Sequence, residues 1–405
     1  MRNDDLKRFY PQGGDKEDAN NFVRYDEDGK IPGELSECPY EQGLGRDSAV
    51  KKTVNIPTDV DDEGHQIDRT NTCEGAFSAV LAGSRNLISE LASESGVTGG
   101  LNEDYAQDNF MFGYRCISNA NQNLTGGYRV HNDGSESVGI GSNVEIQGNI
   151  TYDAKGNPVS DTKSVTALGT GVYVGAGSKN SLVVGDNIEK RTTDGVHYGP
   201  GSLMYSIAVG QTLKLYDSIK WSIIIGARHS IGKHSECVNV FDFHNIVGDY
   251  VTDSTLFGYD NTILGGTSSD KIYDVYEFGH ENTNEDFNGV AQKNVYEIGR
   301  GLKPSKEQQV VLGSYNDEDE TAELVVGCGY EETVDEQTVI TRENCFSTGK
   351  ASSVPYIKIG GTTLTETQLT GLLALLTAVP SEDGTYSFKA TVSDGSVTYS
   401  WVQDQ

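Results

Sequence analysis

A short motif of two or three apolar residues followed by glycine recurs along most of this chain. It reads SIAVG at 206–210, SIIIG at 222–226 and QVVLG at 309–313. Recurrence of one local string is the sequence signature of a fold that stacks similar units, each in contact only with its neighbours. The glycines that end the motif are Gly113, Gly141, Gly169, Gly185, Gly210, Gly226, Gly258, Gly279, Gly299, Gly313 and Gly327.

The spacing of these glycines predicts short strands rather than helices. Gly299, Gly313 and Gly327 follow one another at 14-residue intervals, and Gly169 precedes Gly185 by 16 residues. The segments between them are rich in Val, Ile and Phe, which favour strands. Glycine at a corner supplies backbone angles that a side chain would forbid. Longer gaps between motif glycines are interpreted as loop insertions.

A second, shorter beat falls within the repeat, as SIG at 230–232, NIVG at 245–248 and NTILGG at 261–266. Each turn is therefore expected to contain two short strands separated by polar corners. Stacking such turns in register buries a continuous aliphatic column. The sequence predicts an all-β, elongated β-roll or β-solenoid with turns of about 14–16 residues. A β-sandwich with strands at similar intervals is the competing interpretation, but a sandwich does not require identical strand endings.

The aliphatic residues just before the motif glycines are predicted to face inward. Examples are Ile224, Val209, Val184 and Val326. These side chains would form the aliphatic column of the solenoid.

The balance of charges disfavours nucleic acid as a partner. Lys and Arg number 31 against 60 Asp and Glu, a formal net charge of −29. Affinity for nucleic acid rests on cationic contacts with phosphate, and an anionic membrane surface is disfavoured by the same sign of charge. The polar start of the sequence predicts no secretory signal, and no apolar run is long enough to span a bilayer. Synthesis in a cytoplasm and a soluble product are expected.

No cofactor, metal site or catalytic constellation is predicted. Cys38, Cys73, Cys116, Cys237, Cys328 and Cys345 form no CxxC pair, so free thiols are expected. The acidic run 59–64 imitates a calcium loop but has Thr70 at the twelfth position, where a bidentate carboxylate is needed. A second acidic run, 316–320, is most simply a solvated corner.

Three histidines fall close together, at His229, His234 and His244. Their positions in successive corners of a β-repeat favour exposed side chains. A ring of like histidines on a threefold axis, able to bind a metal, is the alternative.

Four segments are predicted. Residues 1–72 lack the repeat and suit an arm that orders on a partner, residues 73–343 carry the repeat, residues 344–380 hold a strand pair and a helix, and residues 381–405 form a hairpin. The helix has a capping box of Thr365 and Gln368 and is ended by Pro380. Its apolar stripe, expected to pack on symmetry mates, comprises Leu369, Leu372, Leu373 and Leu376.

The repeat is similar to the left-handed β-roll heads of trimeric autotransporter adhesins, whose turns carry serine–aliphatic–aliphatic–Gly strings. The membrane anchor and coiled-coil stalk of those adhesins are missing. The series from QVVLGSYNDEDETAELVVGCGY (309–330) to TRENCFSTGK (341–350) resembles a segment common in phage fibre proteins. KIGGTTLTETQL (358–369) resembles the strand-then-helix segment that follows it there, and GTYSFKATVSDGSVTYSWV (384–402), with Asp394–Gly395 at its centre, resembles their terminal hairpin. The resemblance covers residues 75–405.

This resemblance implies a left-handed, parallel homotrimer that acts as a structural fibre of a bacteriophage. The expected location is the virion surface, with residues 1–72 docking on capsid or tail proteins and other parts contacting host-surface glycan. Two alternatives stay open. One is a tail spike that depolymerises polysaccharide with paired carboxylates, although the short turns offer no large insertion for a cleft. The other is a capsid-decoration protein without a receptor.

Overall fold

The computed structural model of this chain contains short β-strands and one helix. The residues that it describes are 40–42, 49–51, 71–74, 77–154, 157–190, 202–334, 337–377, 386–393 and 396–403. The chain divides into two units, Met1–Ile225 and Gly226–Gln405, named here unit 1 and unit 2.

The strands that begin in unit 1 alternate between longer and two-residue segments, as the double beat of the sequence predicted. They are β1 (Tyr40–Gln42), β2 (Ala49–Lys51), β3 (Thr72–Cys73), β4 (Ala79–Ser84), β5 (Leu87–Ile88), β6 (Gly96–Gly100), β7 (Glu103–Asp104), β8 (Phe110–Tyr114), β9 (Ile117–Ser118), β10 (Leu124–Tyr128), β11 (His131–Asn132), β12 (Val138–Ser142), β13 (Glu145–Ile146), β14 (Ile150–Tyr152), β15 (Pro158–Ser160), β16 (Lys163–Val174), β17 (Lys179–Lys190), β18 (Leu203–Met204), β19 (Ile207–Gln211), β20 (Lys214–Leu215), β21 (Ile219–Lys220) and β22 (Ile223–Ala227).

Unit 2 continues the same alternation and then changes to antiparallel hairpins. Its elements are β23 (Ser230–Ile231), β24 (Glu236–Phe243), β25 (Ile246–Val247), β26 (Val251–Tyr259), β27 (Thr262–Ile263), β28 (Ile272–Tyr273), β29 (Val275–His280), β30 (Val295–Arg300), β31 (Val310–Ser314), β32 (Ala322–Cys328), β33 (Tyr330–Val334), β34 (Gln337–Thr341), β35 (Asn344–Ala351), β36 (Val354–Ile359), β37 (Thr362–Thr365), the helix α1 (Glu366–Thr377), β38 (Tyr386–Ser393) and β39 (Ser396–Gln403).

Equivalent strands of successive turns pair in parallel, so each unit contains a β-solenoid. β8 pairs with β10 and β10 with β12, while the two-residue strands β9, β11 and β13 form a second parallel column. In unit 2, β29, β30 and β31 stack in the same way. The prediction of an all-β solenoid with a short C-terminal helix is therefore confirmed. The handedness and the homotrimer stay predictions.

The predicted motif glycines lie in register, one above another, in a column named here the glycine ladder. A β-carbon on Gly113 would lie 2.0 Å from the carbonyl oxygen of Gly127, and Gly113 has a φ of 119°. A side chain is thus excluded both by the next turn and by the backbone conformation. The ladder comprises Gly83, Gly99, Gly113, Gly127, Gly141, Gly169, Gly185 and Gly210 in unit 1, and Gly226, Gly258, Gly279, Gly299, Gly313 and Gly327 in unit 2.

Three members, Gly83, Gly99 and Gly127, were not among the predicted motif glycines. Before Gly99 and Gly127 the apolar run is interrupted by Thr98 and Gly126. In unit 2, Asp242 takes the ladder position that pairs with Gly258, and it does so with a φ of 84°. The glycine ladder therefore accepts aspartate at this one position, where the backbone of Asp242 has a positive φ.

The inward residue of each ladder strand is the second one before the glycine, not the one adjacent to it. Ile224 is fully buried, as predicted. The prediction was wrong for Val184, Val209 and Val326, which are only partly buried. Side chains alternate between the two faces of a strand, so the neighbouring residues fill the core in their place; these are Val183, Ala208 and Val325.

A column of buried asparagines follows the glycine ladder at the third residue after the glycine. Asn102 donates its Nδ2 hydrogens to the carbonyl oxygens of Thr98 and Gly113, at 3.0 and 3.1 Å. Its Oδ1 accepts the backbone N–H of Cys116 in the next turn, at 3.0 Å. Each asparagine therefore pairs polar backbone atoms of two turns inside the solenoid. The column, named here the asparagine column, contains Asn86 and Asn102 in unit 1 and Asn245, Asn261, Asn282 and Asn316 in unit 2.

His229 takes an asparagine position in unit 2. It is fully buried, and its Nδ1 accepts the backbone N–H of Asn245 at 3.2 Å. The expectation of an exposed corner was therefore wrong for His229, because the equivalent position faces the core. His234 stacks on Tyr250, with ring centroids 4.8 Å apart, and the ring of His244 pairs with Asp260.

A second polar column lies four residues before the ladder glycines. Asn123 accepts the backbone N–H of Ser137 on its Oδ1, at 2.9 Å, and Asn109 accepts that of Asn123, at 2.8 Å. Ser181 and Ser206 continue the pattern with hydroxyl groups, since the Oγ of Ser181 accepts the N–H of Ser206 at 3.3 Å. Hydrogen bonds between side chain and backbone thus link successive turns on this side of the core as well.

One interruption of the repeat is a hairpin. The long gap between Gly141 and Gly169 contains the hairpin β14–β15, yet the two glycines remain paired. The N-terminal arm 1–72 lies mostly outside the described residues, although its β2 pairs in parallel with β4. The acidic run 59–64 also lies outside them.

Parallel stacking ends at β32, which pairs in antiparallel fashion with β35. β36 and β37 extend this sheet, and α1 follows. The predicted capping box is confirmed: Thr365 donates its backbone N–H to Gln368 Oε1 at 2.9 Å, and Gln368 donates its own to Thr365 Oγ1 at 3.3 Å. Pro380, predicted to end the helix, lies outside the described residues, which include α1 as far as Thr377.

The predicted C-terminal hairpin is formed by β38 and β39, with Ser393 opposite Ser396. Its turn residues, Asp394 and Gly395, lie outside the described part of the chain. No helix within that part is long and apolar enough to cross a bilayer.

Candidate interaction surface

The outward side of the ladder strands carries apolar and aromatic side chains. Since the residue two before the ladder glycine faces the core, the residues one and three before it face outward, as does the residue after it. The repeat therefore places like side chains above one another on the surface. We name this surface the strand face and describe it separately for the two units.

In unit 2 the strand face is largely aromatic. Phe257 is 53% exposed and Ile298 is 52% exposed, although both are large apolar side chains. Exposed apolar side chains that occur singly are normal, but a contiguous patch of them marks an interaction site. The face comprises Phe241, Phe243, Phe257, Tyr259, Tyr276, Phe278, His280, Tyr296, Ile298 and Leu312.

The rings of this face stack because parallel pairing brings equivalent residues side by side. The ring centroids of Tyr276 and Tyr296 are 4.8 Å apart with planes 9° from parallel. Those of Tyr259 and His280 are 4.6 Å apart at 14°. Partial burial, the nearby charge of Asp274 and contact with Tyr296 raise the pKa of Tyr276, so its phenol stays neutral at physiological pH.

The strand face of unit 1 mixes aromatic and aliphatic residues. The rings of Tyr114 and Tyr128 are 5.9 Å apart and 7° from parallel, and the guanidinium groups of Arg115 and Arg129 lie 5.6 and 5.2 Å from their respective centroids. Cation–π contacts of this kind fix the rings at the edge of the face. The face comprises Phe110, Phe112, Tyr114, Leu124, Tyr128, Val138, Ile140, Leu168, Leu182, Val184, Ile207, Val209 and Ile225.

A separate aromatic pair occupies a corner of unit 1. Tyr205 and Trp221 are each 54% exposed, and their ring centroids are 6.3 Å apart with planes 11° from parallel. Both residues have left-handed backbone angles, with φ of 52° and 49°. The bend of the corner therefore turns both rings away from the core. We name this pair the aromatic corner.

The predicted helical stripe is partly visible. Leu369 is 38% exposed and Leu373 is 61% exposed. The backbone of Leu372 and Leu376 belongs to α1, but their side chains lie outside the described structure. Four residues separate Leu369 from Leu373, which places both on one side of the helix.

The acidic run 316–320 is a corner in which Asp317, Glu318 and Glu320 are exposed, as predicted, whereas Asn316 and Asp319 are held by hydrogen bonds. Asn316 is fully buried and belongs to the asparagine column. Asp319 accepts hydrogen bonds from Thr321 and Ser347 at 2.8 and 2.9 Å, and these bonds hold its pKa below the ordinary value despite partial burial. Across the described stretches of chain, no cluster of three or more His, Cys, Asp or Glu side chains could hold a metal ion.

Sequence reasoning located the ladder strands but missed the strand face, because it assigned the residue before each glycine to the core. The signal that could have found it is the aromatic content of that position, as in Phe257 and Phe278. A large ring recurring beside a tightly paired glycine has no room in a thin core. No protein-family model matches the chain, and no curated protein matches it significantly.

Proposed function

We propose that this chain is a structural fibre protein of a bacteriophage whose solenoid associates as a parallel homotrimer through its strand faces. One observation carries the association: an apolar, aromatic face on the repeat of a chain with a net charge of −29. A soluble monomer rarely leaves such a patch uncovered. The assignment to phage rests on the resemblance of 309–402 to fibre proteins.

A further copy of the chain fits this face better than an unrelated partner does. Residues such as Tyr276 and Tyr296 repeat along the stacking direction. A parallel symmetry mate presents the same repeat, so every turn of one chain meets an equivalent turn of the next. Closed association about one axis covers all copies of the face and leaves none to form a filament.

The aromatic corner supports a role in attachment to host glycan. Exposed Trp and Tyr rings present an apolar face with a polar tip, which suits the mixed surface of a sugar. Tyr205 and Trp221 lie outside the strand face of unit 1, so a trimer formed through that face leaves them accessible. Residues 1–72, which lack the repeat, dock the fibre on capsid or tail proteins, and the C-terminal end points away from the particle.

Sedimentation equilibrium of the full chain tests the association. We expect a mass three times that of the 43.8-kDa chain. A stable monomer at micromolar concentration contradicts the proposal. The phage assignment is tested separately, because antibodies against the chain should label the surface of virions from its host. Labelling that is confined to host structures contradicts it.

Binding to a host-glycan array tests the attachment role. Trp221→Ala should lose glycan binding while remaining a trimer, and Tyr152→Ala is the control, since Tyr152 is an exposed aromatic residue on the hairpin strand β14. Equal binding by both variants removes the aromatic corner from the proposal. Absence of binding by the unaltered protein favours a decoration protein. Release of reducing ends from host polysaccharide would instead indicate a depolymerase.

A further inference from the structure

Two glutamates lie inside the aliphatic column of unit 2. Glu277 on β29 and Glu297 on β30 are both 0% exposed, and parallel pairing places them directly opposite one another. Leu256 is paired with Glu277 on one side, and Val311 with Glu297 on the other. The two carboxyl groups thus lie side by side in the buried column, with an aliphatic side chain above and another below them.

The carboxyl oxygens of this pair lack hydrogen-bond donors. None of the four Oε atoms of Glu277 and Glu297 has a hydrogen-bond partner among the described residues. The backbone N–H groups of Thr262 and Asn284 act on Glu277 and lower its pKa, but they donate to the carbonyl oxygens of Asn282 and Thr262, and burial outweighs their effect. A buried carboxylate without a partner is strongly unfavourable.

Within the described part of unit 2, no neutralising cation reaches the pair. The positive charge nearest to Glu297 is that of Lys303, whose ammonium group is paired with Glu285. Burial raises the pKa of Glu277 and of Glu297, and the negative charge of Glu297 raises the pKa of Glu277 further. Two ionised carboxylates on adjacent strands, whose backbones lie about 4.8 Å apart, repel one another in a low-dielectric interior.

We propose that Glu277 and Glu297 hold a shared proton inside the solenoid, which makes the stability of unit 2 sensitive to pH. With one proton between them, one carboxyl group donates its O–H to the other, so a buried donor and a buried acceptor are satisfied together. Loss of that proton leaves two adjacent buried charges with no donor. The turns around β29 and β30 are therefore the part of the stack that alkaline pH loosens.

The direction of the effect follows from linkage. An acid whose pKa is raised in the folded state keeps its proton where the unfolded chain has released it. The stabilising contribution is complete below the ordinary glutamate pKa of 4.5. It is lost as pH rises toward the raised pKa of the folded pair. For each proton retained, the folding equilibrium constant falls by a factor of about ten per pH unit in this window.

Denaturant unfolding of the full chain between about pH 5 and pH 8 tests the proposal. The double variant Glu277→Gln/Glu297→Gln preserves shape and hydrogen-bonding capacity but cannot titrate. Relative to this variant, the wild-type folding constant should fall by a factor of about ten or more per pH unit. The control is Glu323→Gln on β32, because Glu323 is exposed and should leave the wild-type slope unchanged. Parallel slopes for wild type and the double variant overturn the proposal.

Three further measurements keep the test decisive. If the glutamine pair fails to fold, Glu277→Leu/Glu297→Leu matches Leu256 in the same column, and the same comparison of slopes applies. Infrared spectroscopy at about pH 6, above the ordinary glutamate pKa of 4.5, should show a protonated carboxyl band that the double variant lacks, and absence of this difference overturns the proposal. Stabilisation of the wild type, but not of the double variant, by added CaCl₂ also overturns it, because a metal ion would then replace the proton.

Discussion

Asn245 donates its side-chain Nδ2 hydrogen to the carbonyl oxygen of Gly258, 2.7 Å away in the next turn of the solenoid. A second donation, also of 2.7 Å, reaches the carbonyl oxygen of Phe241. Meanwhile Oδ1 of Asn245 accepts the backbone N–H of Asn261 at 3.0 Å. One buried side chain thus joins a ladder glycine to the asparagine column, and the strands depend on it for polar pairing as well as for packing.

Asn245→Leu should destabilise unit 2 by about 1–3 kcal/mol, the cost of leaving buried backbone groups without partners. Leucine is chosen because Leu302 occupies the equivalent position in another turn, so the shape is compatible and polarity alone changes. Asn239→Leu, on the outward side of β24, is the control. Equal urea midpoints for the two variants would show that the asparagine column contributes packing only.

Gly258→Ala should destabilise unit 2 by more than about 4 kcal/mol, in the range of severe core lesions. Its β-carbon would lie 1.8 Å from the carbonyl oxygen of Gly279, and its φ is 121°. Gly289→Ala separates the two causes, because Gly289 has a φ of 80° but no atom within 4 Å of the added carbon. That control should cost only about 1–3 kcal/mol of backbone strain. Thermal unfolding of both variants shows how much of the destabilisation of Gly258→Ala comes from the steric clash with Gly279 and how much from backbone strain.

Two adjacent isoleucines provide a matched test of the corrected register. Ile224→Asp should unfold its turns, because a buried unpaired charge costs several kcal/mol, comparable to the stability of a domain. Ile225→Asp places the same charge on the strand face, where Ile225 is 41% exposed. It should keep its strand content by circular dichroism and lose mass by sedimentation. The reverse pattern would contradict the inward placement of Ile224 and the outward placement of Ile225.

Asp104 gives unit 1 a pH dependence of its own. The carboxyl group is buried, which raises its pKa from 3.8 to about 6 although Asn109 donates to it. Because the folded pKa is the higher one, its contribution is full below about pH 4 and is lost as pH rises through 6. Relative to Asp104→Asn, the wild type should lose about 3 kcal/mol across this window in urea titrations, since each pH unit between the unfolded and the folded pKa corresponds to about 1.4 kcal/mol. Asp108→Asn, a change at an exposed neighbour, should lose stability as the wild type does.

The double change Leu369→Ser/Leu373→Ser tests the helix as an assembly element. Both leucines are exposed on α1, so their replacement removes little from the fold of one chain. We expect a lower yield of trimer at unchanged strand content. Thr370→Ser, on the same helix, should alter neither. A double variant that assembles like the control would make α1 a surface cap.

Spacing alone sufficed to predict the stacked turns, since the double beat of glycine and aliphatic residues admits few other folds. The capping box of Thr365 and the C-terminal hairpin also followed from local chemistry. The inward register did not, because residues on both sides of a short strand, such as Ile224 and Ile225, are equally apolar. A pattern of hydrophobicity cannot distinguish a core from an interface when both are aliphatic.

The buried polar residues were beyond prediction for a different reason. Asn245, His229 and Glu277 are ordinary surface residues by type, and only the register of the stacked turns reveals that they face inward. Asn245 lies three residues after a ladder position, and Glu277 lies two residues before one. These offsets indicate an inward side chain once the alternation of the strand is known.

Because of the glycine ladder, the length of the solenoid can change only by whole turns. Gly299 and Gly313 are paired across one 14-residue turn, and Gly313 and Gly327 across the next. A duplication that adds one such turn would give each new strand equivalent neighbouring strands on both sides. A deletion of one residue within a strand would direct the following side chains of that strand to the wrong face, whereas the loops between strands vary in length without loss of register, as between Gly141 and Gly169. Evolution can therefore change the length of the solenoid by whole turns, and selection on that length acts on the number of turns.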